Sequence, residues 1–303
     1  MNIDDAYRYC RAIAHKHGAN FSVGFRFLPR AKRRAVYAAY AFCRVADDIV
    51  DEPDVILSRE DGEGSPAESR DPSPSSRLRM TRLDDWQREL DAAYVSTPTH
   101  PITIALADAL TRFDIPKSAF IALLDGCRQD MVKSRYETFE ELLHYCDLVA
   151  SSISDISLSI FGYRTDAAIG YGRKLSTALQ LTNVTRDVGD DLARDRIYIP
   201  REELLRFGVD EQELFARAEN ERIRALIEFQ LARAERYFRE AEPLLRELDF
   251  DARFPTLLMG GVYATVLAKL KKDPLFVIRK RLSLSALQKL LVVGARVLRP
   301  HFV

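Results

Sequence analysis

Apolar residues recur through most of the chain at the three- and four-residue spacing of an α-helix. The pattern is clear in residues 35–42 and again in residues 175–182. Alternating runs of β-branched residues are nearly absent, and the 13 glycines and 13 prolines fall mostly between the helical stretches. The sequence therefore predicts an all-α domain of many helices.

One segment interrupts this pattern, at residues 53–79. It is rich in Ser, Pro, Gly, Asp and Glu and can bury little apolar surface, so it is predicted to be a mobile loop. The 303 residues are 47% hydrophobic, which is enough for one large core. We therefore expect a single domain over residues 1–303.

The charge balance excludes some classes of partner. Lys plus Arg equals Asp plus Glu at 45 each, so no overall basic field exists to bind nucleic acid, and a charged ligand must be held by local clusters. The four cysteines lack the paired spacing of a zinc site or a disulfide framework, which favours the cytoplasm.

Neither a signal peptide nor an apolar run long enough to span a membrane is visible. The basic and apolar residues of 284–303 are consistent with an interfacial helix at the inner face of the membrane, or with an ordinary packed last helix.

The first acidic motif lies in the stretch YAAYAFCRVADDIVDE. Residues three and four apart share a face of a helix, which places Tyr40, Arg44, Asp47 or Asp48, and Asp51 on one stripe. Like charges at this spacing repel by a few tenths of a kcal/mol per pair unless a cation lies between them. The motif alone therefore fits either a cation site or a solvated helix face that carries acidic residues by chance.

The second acidic motif lies in ALQLTNVTRDVGDDLARDRIYIP. Its polar stripe and flanking arginines are Gln180, Asn183, Asp187, Asp191, Arg186 and Arg196. Hard divalent cations prefer carboxylate and amide oxygens and complete their shell with water and substrate phosphate oxygens. Either motif alone would fit a solvated helix face, but the pair predicts magnesium ions that bridge to a diphosphate.

These motifs resemble the two aspartate-rich signatures of the squalene/phytoene synthase family, which includes squalene, dehydrosqualene, phytoene and presqualene diphosphate synthases. Asp47 and Asp51 resemble the first pair. Asn183, Asp187 and Asp191 resemble the second set, within NVTRDVGDD followed by RIYIP.

The resemblance extends over nearly the whole chain, through HGANFSVGFRFLP at 17–29, RQDMVKSRY at 128–136, VYATVL at 262–267 and FVIRKRLSLSALQKL at 276–290. It implies a single isoprenoid-synthase-type helical bundle around a central cavity, with the loop at 53–79 beside the mouth.

Roles for individual residues follow from the resemblance. The residues it assigns to magnesium are Asp47, Asp51, Asp187 and Asp191, assisted by Asp48 and Asn183. The residues it assigns to the diphosphate substrate are His17, Arg44, Arg186 and Arg196, with Gln180 and Asn183 beside them. Tyr40 and Tyr263 match tyrosines at the reacting end of the cavity, where a ring face stabilises a carbocation. The structural alternatives are a helix-end charge for Arg196, a surface histidine for His17 and a core ring for Tyr263.

The stretch YCDLVASSISDIS departs from the commoner text of the family, since Asp147 replaces a second tyrosine. It resembles bacterial presqualene diphosphate synthases of the hopanoid route. That resemblance implies joining of two farnesyl diphosphates and release of presqualene diphosphate, with NADPH needed only if the product is squalene. Asp147 would pair with a cation or take a proton, or alternatively would only cap or pair at a helix surface.

Several alternatives stay open. Within the family they are squalene, dehydrosqualene and phytoene synthases, the last using geranylgeranyl diphosphate. Outside it they are an inactive subunit that binds a lipid diphosphate, a terpene cyclase and a trans-prenyltransferase. Peripheral membrane contact and hand-over of product to a downstream isoprenoid enzyme are further expectations.

Overall fold

Polar side chains that cap free backbone N–H groups set several helix starts in the computed structural model. The Thr138 hydroxyl accepts a hydrogen bond from the Glu141 N–H at 3.2 Å, and the Asn220 Oδ1 accepts one from the Ile223 N–H at 3.0 Å. Another helix ends at Gly208, whose φ of 65° is the left-handed conformation that glycine adopts at least cost. Local sequence therefore fixes these boundaries before any tertiary packing.

The structure describes residues 1–17, 22–51, 74–298 and 300–303. In the first half of the chain the helices are α1 (Ile3–His17), α2 (Ser22–Phe25), α3 (Arg30–Asp51), α4 (Pro74–Tyr94), α5 (Pro101–Leu110), α6 (Lys117–Asp130), α7 (Phe139–Cys146) and α8 (Ser152–Phe161), with a π-helical turn (Asp147–Ser151) between α7 and α8. In the second half they are α9 (Ala167–Arg186), α10 (Val188–Leu192), α11 (Arg201–Phe207), α12 (Glu211–Phe215), α13 (Glu221–Ala241), α14 (Leu244–Glu247), α15 (Phe250–Leu270), α16 (Phe276–Arg279) and α17 (Ala286–Leu298). These described ranges contain isolated β-bridges but no β-strand, so the all-α prediction is confirmed.

The long helices pack around a shared core. Helix α9 lies along α13 and also contacts α8 and α15, while α3 contacts α1, α5, α6 and α8. One hydrophobic cluster links buried residues from Ala6 to Phe302. On α3 the core-facing side is rich in alanine, which lets neighbouring helices approach closely and leaves the polar stripe facing a central space.

The predicted loop at 53–79 needs one correction. Helix α4 begins at Pro74, so the last six residues of that segment belong to a helix, because proline fits the first turn and the following residues continue into a helix that packs on α5. Residues 52–73 lie outside the described residues, and the prediction of a loop beside the cavity mouth stays a prediction.

Within the described ranges, none of the helices combines the length and the apolar character needed to cross a membrane.

Candidate active site

A cavity of about 600 Å³ lies between α3, α8, α9 and α15. Most of its wall is apolar and includes Phe25, Leu123, Leu158, Leu179 and Met259. Both acidic motifs line the same cavity. Two polar stripes from distant parts of the sequence are therefore brought together at one apolar chamber, as the sequence predicts.

On α3 the lining residues are Tyr40, Arg44, Asp47 and Asp51. Their spacing of four, three and four residues keeps them on one face of the helix. Asp48 does not line the cavity, contrary to the expectation that it assists the metal. It forms an ion pair with Arg44 one helical turn away instead.

The second motif contributes Gln180, Asn183, Arg186, Asp187 and Asp191 to the lining. The backbone departs from helical dihedral angles at Asp187, where φ is −95° and ψ is 6°. Hydrogen bonds from the Asp187 N–H to the Asn183 carbonyl and from the Asp191 N–H to the Asp187 carbonyl, both 2.9 Å, preserve the helical repeat. The stripe therefore stays on one side although α9 ends and α10 begins within it.

The protein environment disfavours the charged form of two of these carboxyl groups. Asp47 is accessible from the cavity but is surrounded by protein, and burial raises its pKa to about 7 against the opposing effect of Arg44. Burial, reinforced by the charge of Asp187, raises the pKa of Asp191 to about 7. A cation bound between the stripes would offset these costs.

Two unpartnered polar atoms test whether the site fits a metal-bound anion. The Oδ1 of Asn183 and the Nε of Arg44 are buried, and neither has a hydrogen-bond partner within the described ranges of the chain. A buried polar atom left unpaired costs about 1–3 kcal/mol, so both atoms call for a ligand, one a cation and the other an anion. The candidate metal ligands of the cavity are carboxylate oxygens and one amide oxygen, which are the ligands that magnesium prefers. The residues present therefore fit a magnesium site.

The acidic groups of the two motifs approach each other without forming a preassembled cluster among the described residues. Among the described residues, no three His, Cys, Asp or Glu side chains lie close enough to hold a metal ion by themselves. The two motifs do approach each other, since the Arg194 Nη1 lies 3.7 Å from the Asp51 Oδ1. This arrangement suits ions that complete their shell with phosphate oxygens and water.

Two tyrosines line the cavity beside the acidic stripes. Burial raises the pKa of Tyr40 to about 12 and also raises the pKa of Tyr263, so both rings stay neutral near pH 7. The Tyr263 hydroxyl is hydrogen-bonded to Asn183 and Arg186, which fixes its ring against the second motif. Tyr263 is thus both a buried ring and part of the cavity wall.

The expectation that Asp147 lies at the reacting end of the cavity is wrong. Asp147 is exposed and does not line the cavity, and its Oδ1 accepts a hydrogen bond from the Ser151 hydroxyl at 2.8 Å. The π-helical turn that starts at Asp147 turns Val149 and Ala150 toward the cavity instead. The structural alternative for Asp147, pairing at a helix surface, describes what is found.

Two further residues that the resemblance assigns to the diphosphate are Arg196 and His17. Arg196 lies outside the main cavity, and its Nη2 donates a hydrogen bond to the Asp130 backbone carbonyl at 2.9 Å. Arg196 therefore supports the end of α6 and does not face the cavity. Helix α1 ends at His17, but the side chain of His17 lies outside the described residues. Its assignment to the diphosphate stays a prediction.

Sequence reasoning missed a buried carboxyl group behind the first motif. Asp130 accepts hydrogen bonds from the hydroxyl groups of Tyr145 (2.7 Å) and Tyr198 (3.0 Å), and both tyrosines line the cavity. Burial raises the pKa of Asp130 despite these bonds. The only signal in the sequence was the segment 128–136, whose resemblance carried no role for Asp130.

Arg281 was missed as well. It lines the cavity, and its Nε lies 2.8 Å from the Asp187 Oδ1. The contact joins positions 94 residues apart, so no local spacing could have indicated it.

A family model described as squalene/phytoene synthase matches residues 14–288. The 15-cis-phytoene synthase of Synechococcus elongatus is 32% identical over 98% of this chain and 94% of its own length. The phytoene synthase of Mycobacterium tuberculosis is 35% identical over 97% of this chain and 91% of its own. The chain belongs to the squalene/phytoene synthase family. It is a prenyltransferase.

Two solved structures share the fold. The squalene synthase HpnC from Alicyclobacillus acidocaldarius is 30% identical with a TM-score of 0.77, covering 89% of this chain and 95% of that one. A dehydrosqualene synthase in complex with a ligand is 26% identical with a TM-score of 0.83, covering 99% of this chain and 98% of that one. The expected isoprenoid-synthase-type helical bundle is thereby confirmed.

Proposed function

We propose that this enzyme joins two allylic prenyl diphosphates head to head with the help of magnesium, and that its substrate is farnesyl diphosphate and its product presqualene diphosphate. The observation that carries the proposal is the meeting of both acidic motifs at one apolar cavity. The unpartnered Asn183 Oδ1 and Arg44 Nε among the lining residues add a cation ligand and an anion donor.

The polar residues of the cavity bind the diphosphate and the metal in this proposal. Arg44 and Arg186 bind diphosphate oxygens, since a guanidinium presents a planar fork of donors to phosphate. Asp47, Asp51, Asp187 and Asp191 hold magnesium, which when bound supplies Lewis-acid neutralisation of the leaving diphosphate. The charge needed for ionisation is thus concentrated at one end of the cavity.

The remaining wall protects the cationic stage of the reaction. As the bond to one diphosphate breaks, the double bond of the second prenyl chain attacks the allylic carbon, and loss of a proton closes a cyclopropane that keeps the second diphosphate. The neutral rings of Tyr40 and Tyr263 offer π faces to the cation, and the apolar side chains exclude water that would convert it to an alcohol.

The choice of farnesyl diphosphate is supported by the resemblance of residues 146–151 to presqualene diphosphate synthases and by similarity to structures named squalene and dehydrosqualene synthase. A second candidate is phytoene synthesis from geranylgeranyl diphosphate. The names of the Synechococcus and Mycobacterium relatives favour it. In either case the product is a lipid, and we expect it to pass to a downstream isoprenoid enzyme, with peripheral membrane contact during that transfer.

Product identification tests the proposal. Purified protein would be incubated with magnesium and either farnesyl or geranylgeranyl diphosphate, with and without NADPH, and the products analysed by mass spectrometry. We expect presqualene diphosphate from farnesyl diphosphate whether or not NADPH is present. Dominant phytoene would favour the second candidate, and abundant squalene with NADPH would refute release of presqualene diphosphate.

A matched pair of variants links the product to the cavity. Asp191→Asn should remove most of the activity, whereas Asp190→Asn, an exposed neighbour that does not line the cavity, should retain it. Tight binding of both prenyl diphosphates without any condensation would instead favour an inactive binding subunit.

A further inference from the structure

Asp187 is held by two arginines that come from different parts of the fold. The Arg186 Nε and Nη2 donate to its Oδ1 and Oδ2 at 2.7 and 2.6 Å. The Arg281 Nε lies 2.8 Å from the same Oδ1, and its Nη2 lies 3.4 Å from Oδ2. Both carboxylate oxygens are therefore occupied by guanidinium groups.

The two arginines are not equivalent. The Arg186 side chain is 8% exposed and is hydrogen-bonded to Tyr263, so it is fixed in the wall. The Arg281 side chain is 55% exposed and lies in the segment between α16 and α17. Arg281 is thus the partner that can leave Asp187 without disturbing the core.

Among the described residues, the contacts of Asp51 and Asp47 are longer. Asp51 meets Arg194 at 3.7 Å, and the Asp47 Oδ1 meets the Cys127 thiol at 3.9 Å. A divalent cation that approaches Asp187 must compete with two positive charges for the same oxygens, whereas at Asp47 and Asp51 the contacts are longer. Among the described residues, Asp187 is therefore opposed by positive charge at shorter range than Asp47 or Asp51.

A diphosphate at the cavity mouth would remove this opposition. Its oxygens are better partners for a guanidinium than a carboxylate already shared with Arg186, because a diphosphate offers several charged acceptors to one fork of donors. When Arg281 turns to the anion, the Asp187 Oδ1 keeps its hydrogen bond from Arg186 but regains a lone pair that can bind the cation. Binding of the anion and binding of the metal then strengthen each other, as linkage requires.

We propose that Arg281 is a positioning residue that locks Asp187 in an ion pair until a diphosphate arrives, so that a metal ion captures Asp187 only together with its anionic partner. The proposal rests on the proposed magnesium-assisted function of this cavity. It makes metal binding at Asp187 depend on the diphosphate, and it assigns to Arg281 a role exerted through Asp187.

The test measures metal binding and needs no turnover. Mn²⁺ would be titrated into the full-length protein and the free ion followed by electron paramagnetic resonance, with and without inorganic pyrophosphate. Arg281→Gln should bind Mn²⁺ alone about 3- to 10-fold more tightly than the unmodified protein. It should also show a smaller gain in Mn²⁺ affinity when pyrophosphate is added, because part of the coupling has been removed.

Two further variants separate the lock from a general charge effect. Arg279→Gln removes the same charge two residues away, but Arg279 pairs with Asp273 (2.6 Å) and Glu219 (3.4 Å), so its Mn²⁺ affinity should match that of the unmodified protein. Arg281→Lys keeps the charge without the two-pronged contact, and its Mn²⁺ affinity should fall between those of the unmodified protein and Arg281→Gln.

The outcomes distinguish this proposal from the function it rests on. If Arg281→Gln and Arg279→Gln tighten Mn²⁺ binding equally, or neither does, while the unmodified protein binds Mn²⁺ with pyrophosphate, the lock is refuted and the proposed function stands. If the unmodified protein binds no Mn²⁺ even with pyrophosphate, both are overturned.

Discussion

Gly189 lies within the second acidic motif at a point where two short helices touch backbone to backbone. A Cβ added to Gly189 would lie 2.8 Å from the Val277 carbonyl oxygen and 3.1 Å from the Ile278 carbonyl oxygen. The Arg217 guanidinium bridges the same two segments by donating to the Gly189 and Ile278 carbonyl groups at 3.0 and 2.9 Å. The contact therefore ties α10, which carries Asp191, to α16, which precedes Arg281.

We expect Gly189→Ala to loosen this contact and damage the site. A carbon normally stays about 3.3–3.6 Å from a carbonyl oxygen, so α10 would have to move by roughly 0.5 Å. Overpacking costs about 1–3 kcal/mol, and the higher helix propensity of alanine returns about 0.5–1 kcal/mol, which leaves a net loss of up to about 2.5 kcal/mol. Because small displacements of catalytic groups lower rates steeply, kcat should fall about tenfold or more.

Thermal unfolding and steady-state kinetics of two variants would test this. The control is Gly170→Ala on α9, where the added Cβ meets nothing within 4 Å. It should leave kcat unchanged and raise the free energy of unfolding by about 0.5–1 kcal/mol. At about 2–4 °C per kcal/mol, Gly189→Ala should lower Tm by several degrees. Equal stability and equal turnover of the two variants would refute the claim that this backbone contact positions the motif.

Three other predictions follow from the site and its surroundings. Asp51→Ala and Asp187→Ala should each lower kcat by more than about 100-fold with unchanged circular dichroism, and near-normal turnover in both would contradict the assignment of these residues to the metal. Asp147→Tyr should leave the product unchanged, because Asp147 is exposed, does not line the cavity and accepts a local hydrogen bond from Ser151; a shift toward squalene or dehydrosqualene in mass-spectrometric analysis would show otherwise. For Glu89, burial raises the pKa, but hydrogen bonds from Thr99, Thr103 and the His100 N–H outweigh burial and lower it from 4.5 to about 2. This carboxylate therefore stabilises the fold above about pH 4.5 and loses that contribution as the pH falls toward 2. Because solvent screens this partly exposed group, Glu89→Gln should cost only about 1–2 kcal/mol at pH 7 and less at pH 3, as measured by urea unfolding.

The first motif was predictable because its geometry is contained in one helix. Tyr40, Arg44, Asp47 and Asp51 line the cavity since α3 runs unbroken from Arg30 to Asp51. The second motif was predictable for the same reason, because the hydrogen bonds on either side of Asp187 keep the helical repeat. Local periodicity is enough wherever a functional stripe lies on regular helix.

The position of Asp147 could not be predicted in this way. The Ser152 N–H bonds to the Asp147 carbonyl five residues back, which inserts one residue into the turn and changes which side chains face the cavity. This turn packs against α6, where Val149 lies against Gly126. Neither helix propensity nor residue spacing indicates it.

The contact of Arg281 with Asp187 was hidden for another reason. It joins residues from separate segments and requires the fold of α16 against α10. Asp130 lies likewise behind the first motif through contacts with Tyr145 and Tyr198 that only the tertiary structure provides. Residues that act through long-range contacts carry no signal in a single sequence.

The central claim is that the two acidic motifs together hold a metal-bound diphosphate at one end of the cavity. A crystal structure with Mn²⁺ and a prenyl thiodiphosphate that does not ionise, with the metal located by anomalous scattering, tests this most directly. We predict metal peaks between α3 and α10, with oxygen ligands from Asp47, Asp51, Asp187 and Asp191, and the prenyl chain along the apolar wall. Metal bound elsewhere, or a diphosphate held away from both motifs, would contradict the account.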